Sequence, residues 1–564
     1  NVLDQDVYQI SDKFSIYAGA HTITVGTSLE VFLFNNSFNL GAYDGGLNDG
    51  MGGTFSGGYP SVATFLDSLN AGTLDAAVTG AQTTFNNDTW ALAETNLGQF
   101  AVYFQDEWAV NEDLTISAGV RIDVPLYFNT SEKIQENIDP DRNCCYFDFI
   151  EYFDPATGDS IFFDHTVLPQ QTPLISPRLG FNYDVKGDQS IQLRGGTGLF
   201  TGRLPFVWIG NQVANPNFFF YSITSPDFKY PQVWRTNLGY DQKLNSGIIL
   251  SADLIYTKDL NGMMVRNYGL NKPTGTLAGV DDREIYTAAD RNSFGNNAYV
   301  FTNTNVGSSF NMTLQAQKTW ENGLYASLAY NFLDAKDASS IEAEISGDAY
   351  DRNPALGNVN TAVLAPSLYG NRHRIVGSAY KRFEYASMAT TIGVFLEYAQ
   401  GGRFSYTYSG DINNDGSGLN DLIYIPTNTE IDAMNFSGDQ TAQRDALKVF
   451  LTQDDYASSR RGQYAEKYDI LSPWYSNMDL RIAQDLILGN ENVVQFTYTM
   501  QNVGNFINSN WGVRQFPINT QPIGVNVVGG VPTYTFDTSL TETFAYDFSL
   551  LSRWQAQVGV RYIF

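Results

Sequence analysis

The side chains best suited to chemistry lie in one short stretch. Asp411-x-Asn413-x-Asp415-Gly416 places three oxygen-bearing side chains on alternate positions ahead of a glycine. That is the opening of an EF-hand-type calcium loop, where oxygen ligands alternate and the glycine makes a sharp turn. The place of the closing glutamate is taken by Leu422, so Asn420 and Asp421 would supply the late ligands of a shorter loop. Residues 410–421 therefore read either as a Ca2+ site or as an Asx-rich surface turn. No other cofactor is required. His21, His165 and His373 have no metal-ligand spacing. No Gly-x-Ser-x-Gly or Walker motif occurs, so an enzyme is not expected. Cys144 and Cys145 are adjacent. They read as a vicinal disulfide or as two loop thiols, and not as a long-range framework.

A second set of charges is spread along the chain at strand spacing. Arg121, Asp123, Arg178, Arg194, Arg235, Asp253, Glu397, Asp479, Arg481 and Arg561 all fall on the polar side of alternating segments. The closing segment shows the pattern. Trp554, Ala556, Val558, Val560, Tyr562 and Phe564 alternate with Gln555, Gln557, Gly559 and Arg561. Only a strand sends successive side chains to opposite faces.

Such segments recur in pairs. Phe100 to Trp108 and Leu114 to Ile122 flank the turn Asn111-Glu112-Asp113. Further pairs flank Lys186-Gly187-Asp188, Asn245-Ser246-Gly247, Glu321-Asn322-Gly323 and a turn near Tyr385. His21 to Phe34 forms another segment, with Phe14 to Ala18 as its short partner. Long loops alternate with the tight turns, over about 35–96, 129–172, 202–231, 257–307, 333–371, 401–471 and 504–551. Helices are expected at Ser61 to Leu69 and at Asp439 to Gln453. In the second, Asp439 is the cap and Ala442, Ala446, Leu447, Phe450 and Leu451 form the apolar stripe.

About fourteen strands joined this way give an all-β fold: a transmembrane antiparallel up-and-down β-barrel with short periplasmic turns and long extracellular loops. Residues 1–564 form one barrel domain. The apolar faces, Trp554, Val558, Val560 and Tyr562 among them, would meet outer-membrane lipid. Arg121, Asp123, Arg194, Arg481 and Arg561 would face the lumen. Composition agrees. Glycine is abundant at 50 of 564 residues, aromatics make 14% and charged residues only 16%, and the mean hydropathy is −0.23. No apolar run is long enough for a transmembrane helix. A net charge of −27 argues against nucleic-acid binding, which needs basic surface.

Several stretches resemble TonB-dependent outer-membrane receptors. Tyr103-Phe104-Gln105-Asp106-Glu107-Trp108 followed by Leu114 to Asp123 is the first. Leu193 to Arg203, Gly410 to Gly416 with Asn420 to Pro426, and Ser459 to Tyr464 are similar to the Oar-like branch, common in Bacteroidetes-type bacteria. Tyr562-Ile563-Phe564 resembles the C-terminal aromatic signal for barrel assembly. The resemblance implies a Gram-negative outer membrane, a 22-stranded barrel, an N-terminal plug and the TonB-ExbB-ExbD complex as partner. Against that pattern the chain reads as the C-terminal part of such a barrel, the plug and first strands not being among its segments. The implied function is energised passage of a substrate. The alternatives are a barrel presenting its loops to lipoprotein, secreted-protein or polysaccharide partners, and a passive porin.

Overall fold

Strand alternation builds one large antiparallel sheet. In the computed structural model residues 2–37, 92–138, 150–214, 222–292, 297–341, 343, 345–489 and 492–564 are described. Eighteen strands join in the main sheet. Three short pieces, Ser222–Thr224, Tyr299–Thr304 and Ala365–Pro366, extend it at one end. The other fifteen make an up-and-down wall. They begin with β1 (Val2–Ala18), β2 (His21–Ser37), β3 (Leu92–Ala109), β4 (Leu114–Leu126) and β5 (Leu174–Asp184). Then come β6 (Ile191–Thr201), β7 (Gln232–Lys243), β8 (Ile249–Asn267), β9 (Ser308–Thr319) and β10 (Tyr325–Asp337). The last are β11 (His373–Tyr385), β12 (Met388–Ala399), β13 (Tyr475–Gly489), β14 (Asn492–Gln501) and β15 (Gln555–Ile563). Each pairs with its neighbour in sequence. Among the described residues β1 pairs with β2 alone and β15 with β14 alone.

The expected strand count is one short. Val2–Ala18 is a full strand in register with all of β2, from Ala18 opposite His21 to Val2 opposite Ser37. Asp4, Asp6 and Asp12 interrupt the apolar side of its pattern, so only Phe14 to Ala18 shows alternation.

The tight turns all fall at one end of the wall. The Asn111 side chain accepts the N–H groups of Asp113 (2.9 Å) and Leu114 (2.8 Å), an Asx cap that fixes the β3–β4 hairpin. Gly247 and Gly323 hold φ of +79° and +78°, where a Cβ would be strained. The opposite end, the loop side, carries every long connection.

The two faces differ as a barrel in lipid requires. Phe104, Leu179, Leu254, Leu328, Val558 and Val560 stand exposed on the outer face. Aromatics gather at its two rims. On the turn side Trp108 stacks on His21 at 5.5 Å. On the loop side Phe332, His373, Trp474 and Tyr398 form a row with spacings of 5.3, 5.9 and 4.7 Å. The inner face carries Arg, Asp, Gln, Ser, Thr and Gly.

The loops fold into cores of their own. One buries Tyr406, Tyr408, Ile423, Phe450, Leu451 and Tyr534. Its helix α3 (Gln440–Gln453) is capped by Asp439, which accepts the Ala442 N–H at 3.1 Å. Leu447, Phe450 and Leu451 are fully buried, each contributing about 1.5–3 kcal/mol. A second core includes Leu204, Trp208, Tyr230, Phe301 and Tyr350. It gathers around α2 (Phe206–Ala214), which packs against α1 (Thr130–Asn137). The expected helix over Ser61 to Leu69 and the Cys144-Cys145 pair lie outside the described residues.

Candidate functional site

Two places bring the sequence-marked residues together: the inner wall of β3–β8 and a loop-side cluster above it.

On the wall, glycines make room for arginines. Gly239 of β7 lies between Arg194 of β6 and Asp253 of β8 in the register. A Cβ at Gly239 would fall on the Arg194 guanidinium. With no side chain there, Arg194 lies across β7 and grips Asp253 with both nitrogens, Nη1 to Oδ1 at 2.5 Å and Nη2 to Oδ2 at 3.1 Å. Its Nε reaches Asp241 at 3.0 Å. Beside it, Gly119, Gly180, Gly196 and Tyr103 help to line a basin of about 450 Å³ that also holds Arg121, Arg178, Arg235 and Phe200. Arg178 sits over the Phe200 ring at 4.5 Å and Arg235 at 6.0 Å. Arg235 also donates to Thr257 at 3.1 Å. Arg121 pairs with Asp123 at 2.9 Å, and Gln99 holds the same carboxylate at 2.8 Å. The wall is thus a set of positioned charges with room for solvent.

The remaining marked wall residues lie apart from that basin. Glu397 pairs with Arg374 at 2.7 Å. Asp479 accepts the Asn502 N–H at 2.9 Å. Arg481 lies opposite Gly393 and Thr499, and Arg561 opposite Gln495; both are exposed.

The loop-side cluster gathers Asp411, Asn413, Asp415, Asn420 and Asp421. The chain turns tightly there, with Asn414 at φ +61° and Gly416 at +92°. Asp411 accepts the N–H groups of Asp415 (3.1 Å) and Gly416 (2.9 Å). Asp415 accepts the Ser417 N–H at 2.8 Å and the Tyr350 hydroxyl at 3.1 Å. Asp421 closes the turn by accepting the Ile412 N–H at 3.2 Å. Asn413, Asp415, Asn420 and Asp421 are buried, Asp411 less so. Burial, with the Asp411 charge alongside, pushes the Asp415 carboxyl up to about 7. Burial and then Asp415 raise Asp421 well above the usual range, against the pull of Arg283.

Arg283 falls in the expected 257–307 loop and carries no motif in the sequence. It is 3% exposed. It donates to Asp281 (2.9 Å), Asp421 (3.1 Å) and the Leu422 carbonyl (2.6 Å), and lies over Tyr408 and Tyr464. Burial opposes its charge, but Asp281 and Asp421 outweigh that and hold its pKa above the ordinary value. The only signal was Asp281-Asp282-Arg283 in a charge-poor chain.

Comparison with known proteins agrees with this architecture. Residues 2–225 match the family model described as an outer membrane beta barrel domain. No curated protein matches the chain. Among solved structures, the outer membrane transporter YddB from Escherichia coli is similar at 11% identity and a TM-score of 0.45, over 99% of this chain and 54% of that one. The FrpB iron transporter from Neisseria meningitidis aligns at 9% identity and 0.42, over 89% and 52%. A mutant of the ferric enterobactin receptor PfeA from Pseudomonas aeruginosa aligns at 8% and 0.43, over 89% and 48%. The chain spans about half the length of these proteins. Its fold is that of an outer-membrane β-barrel.

Proposed function

We propose that this chain forms the wall of a TonB-dependent transporter of the Gram-negative outer membrane, in a Bacteroidetes-type bacterium and of the Oar-like branch. The observation that carries the reading is the division of the wall: apolar and aromatic-rimmed outside, polar and glycine-floored inside, with every long loop at one end. That arrangement suits a wet passage under a substrate-facing surface. The inner charges Arg121, Asp123, Arg194, Arg481 and Arg561 then face a plug or line the path. The loop side is extracellular and the turn side periplasmic. The TonB-ExbB-ExbD complex acts on an N-terminal plug, and the barrel itself performs no chemistry.

The packed loop cores favour a second reading, a surface platform that docks a lipoprotein, secreted protein or polysaccharide. A deletion strain separates the two. Lost uptake of a nutrient, restored by the gene only when TonB is intact, supports transport. Normal uptake of every candidate nutrient with lost surface assembly would leave the platform. A steady conductance of the purified full-length protein in planar bilayers, without TonB, would instead mark a passive porin.

A further inference from the structure

We infer that Asp411, Asp415, Asp421 and Asn420 bind one Ca2+ ion, which fastens the loop-side surface together. One carboxylate oxygen from each of the three aspartates lies within 4.8 Å of the other two. Ca2+ takes oxygens at 2.3–2.6 Å, so ligands around one such ion lie no farther apart than about twice that radius. The spacing therefore matches a shared centre.

An independent observation comes from Asn420, which is 1% exposed. Its amide nitrogen donates to Asp415 at 3.0 Å, which holds the amide against the cluster. The other end of that amide, Oδ1, is buried without a hydrogen-bond partner. A buried amide oxygen left unpaired is costly, and a cation among the carboxylates would satisfy it.

Charge points the same way. Three carboxylates converge, and Arg283, which touches Asp421 among them, is already shared with Asp281. Buried like charges need a counterion or a proton. Oxygen-only donors, one of them an amide, suit Ca2+ better than Mg2+, which demands a tight octahedron and keeps its waters. Asn413 is the fifth oxygen-bearing side chain at the site, fully buried, its amide 3.4 Å from Asp415.

The consequence is mechanical. The cluster lies in the loop between β12 and β13, yet its partners come from elsewhere. Tyr350 belongs to the β10–β11 connection, and Arg283 and Tyr286 to the β8–β9 connection. The Tyr286 N–H donates to the Asn413 carbonyl at 2.7 Å. An ion holding Asp411, Asp415, Asn420 and Asp421 in place would fix the contacts through which these three connections meet.

The test uses the purified full-length protein in detergent, stripped of divalent ions. Tb3+ is titrated with excitation in the tyrosine band, because the Tyr350 hydroxyl stands 3.1 Å from Asp415. The expected result is saturable emission for one site per chain, displaced by Ca2+ at least tenfold more effectively than by Mg2+. Ca2+ should also slow protease cleavage within 401–471. Asp415→Asn should lose the emission, and Asp445→Asn, on an exposed face of α3, should keep it. The wild-type competition needs no variant to fold. Absent saturation, equal displacement by Mg2+, or undiminished emission in Asp415→Asn would each overturn the site.

Discussion

Replacing Arg283 with methionine removes the charge and the guanidinium fork while keeping an unbranched apolar stem. Asp281 and Asp421, each about 1% exposed at the side chain or less, would lose the guanidinium that holds both. Removing one partner of a buried pair costs roughly 3–5 kcal/mol, because the other charge stays buried without compensation. At about 1.4 kcal/mol per factor of ten, the opened form of the loop surface should become roughly 10²- to 4 × 10³-fold more populated. The wall is held by its own ladders and should not change. The assay is limited proteolysis in EDTA, so that no divalent ion offsets the bared carboxylates. Cleavage that is slow compared with reclosing follows the opened population. Arg283→Met should be cut within residues 401–471 faster by that factor, with the barrel's heat-resistant gel mobility retained. Arg283→Lys keeps the charge but not the fork that serves two carboxylates and a carbonyl, and should fall between. Cleavage of Arg283→Met at the wild-type rate would refute the claim that this ion cluster locks the loops.

Other outcomes follow from neighbouring contacts. Gly239→Val should push Arg194 off Asp253 and cost about 1 kcal/mol after allowance for partial exposure, read as a lower temperature for the unfolding shift on gels; an unchanged temperature would contradict the Gly239 argument. His165 is buried against the Gln212 carbonyl at 2.8 Å. Burial lowers its pKa to about 4, against smaller raising effects from that carbonyl and from Asp164. The opened loop takes up its proton near pH 6.5 and the closed loop only near 4. Closure should therefore weaken as pH falls through that window, by up to about 3 kcal/mol. His165→Leu should flatten this dependence in acid-pulse proteolysis, and an equally steep profile would count against it. Asp439→Ala removes the cap of α3 and should loosen that helix by about 1 kcal/mol, measurable as faster amide exchange over residues 440–446.

The wall was legible because burial on one side and water on the other impose a period of two, and strand after strand repeats it. The turn residues were legible for the same reason, since Asn111, Gly247 and Gly323 sit where the backbone demands them. Helix α3 showed through its cap and stripe. Val2–Ala18 was read short because Asp4, Asp6 and Asp12 break the pattern where pairing, not apolar burial, holds the strand. The loop cores were invisible to periodicity. Tyr406, Phe436 and Tyr534 meet from distant segments, and no local spacing encodes that meeting. Asp411 to Asp421 was found because its residues are close in sequence. Arg283, more than a hundred residues away, was not.

The separation of wall from loops has a consequence for how such a chain can vary. Closing the segment 400–474 in place of a turn like 110–113 adds, for a roughly twentyfold longer link, only about 3 kcal/mol of chain entropy. Burying on the order of 100 Å² of apolar surface repays that, less than one large aromatic side chain covers. The loop-side architecture can therefore be exchanged wholesale, lengthened or re-cored, while each hairpin of the wall keeps its register. Closing a longer link is thermodynamically inexpensive for this fold; what a new surface must supply is a core of its own that offsets the ordering of its residues.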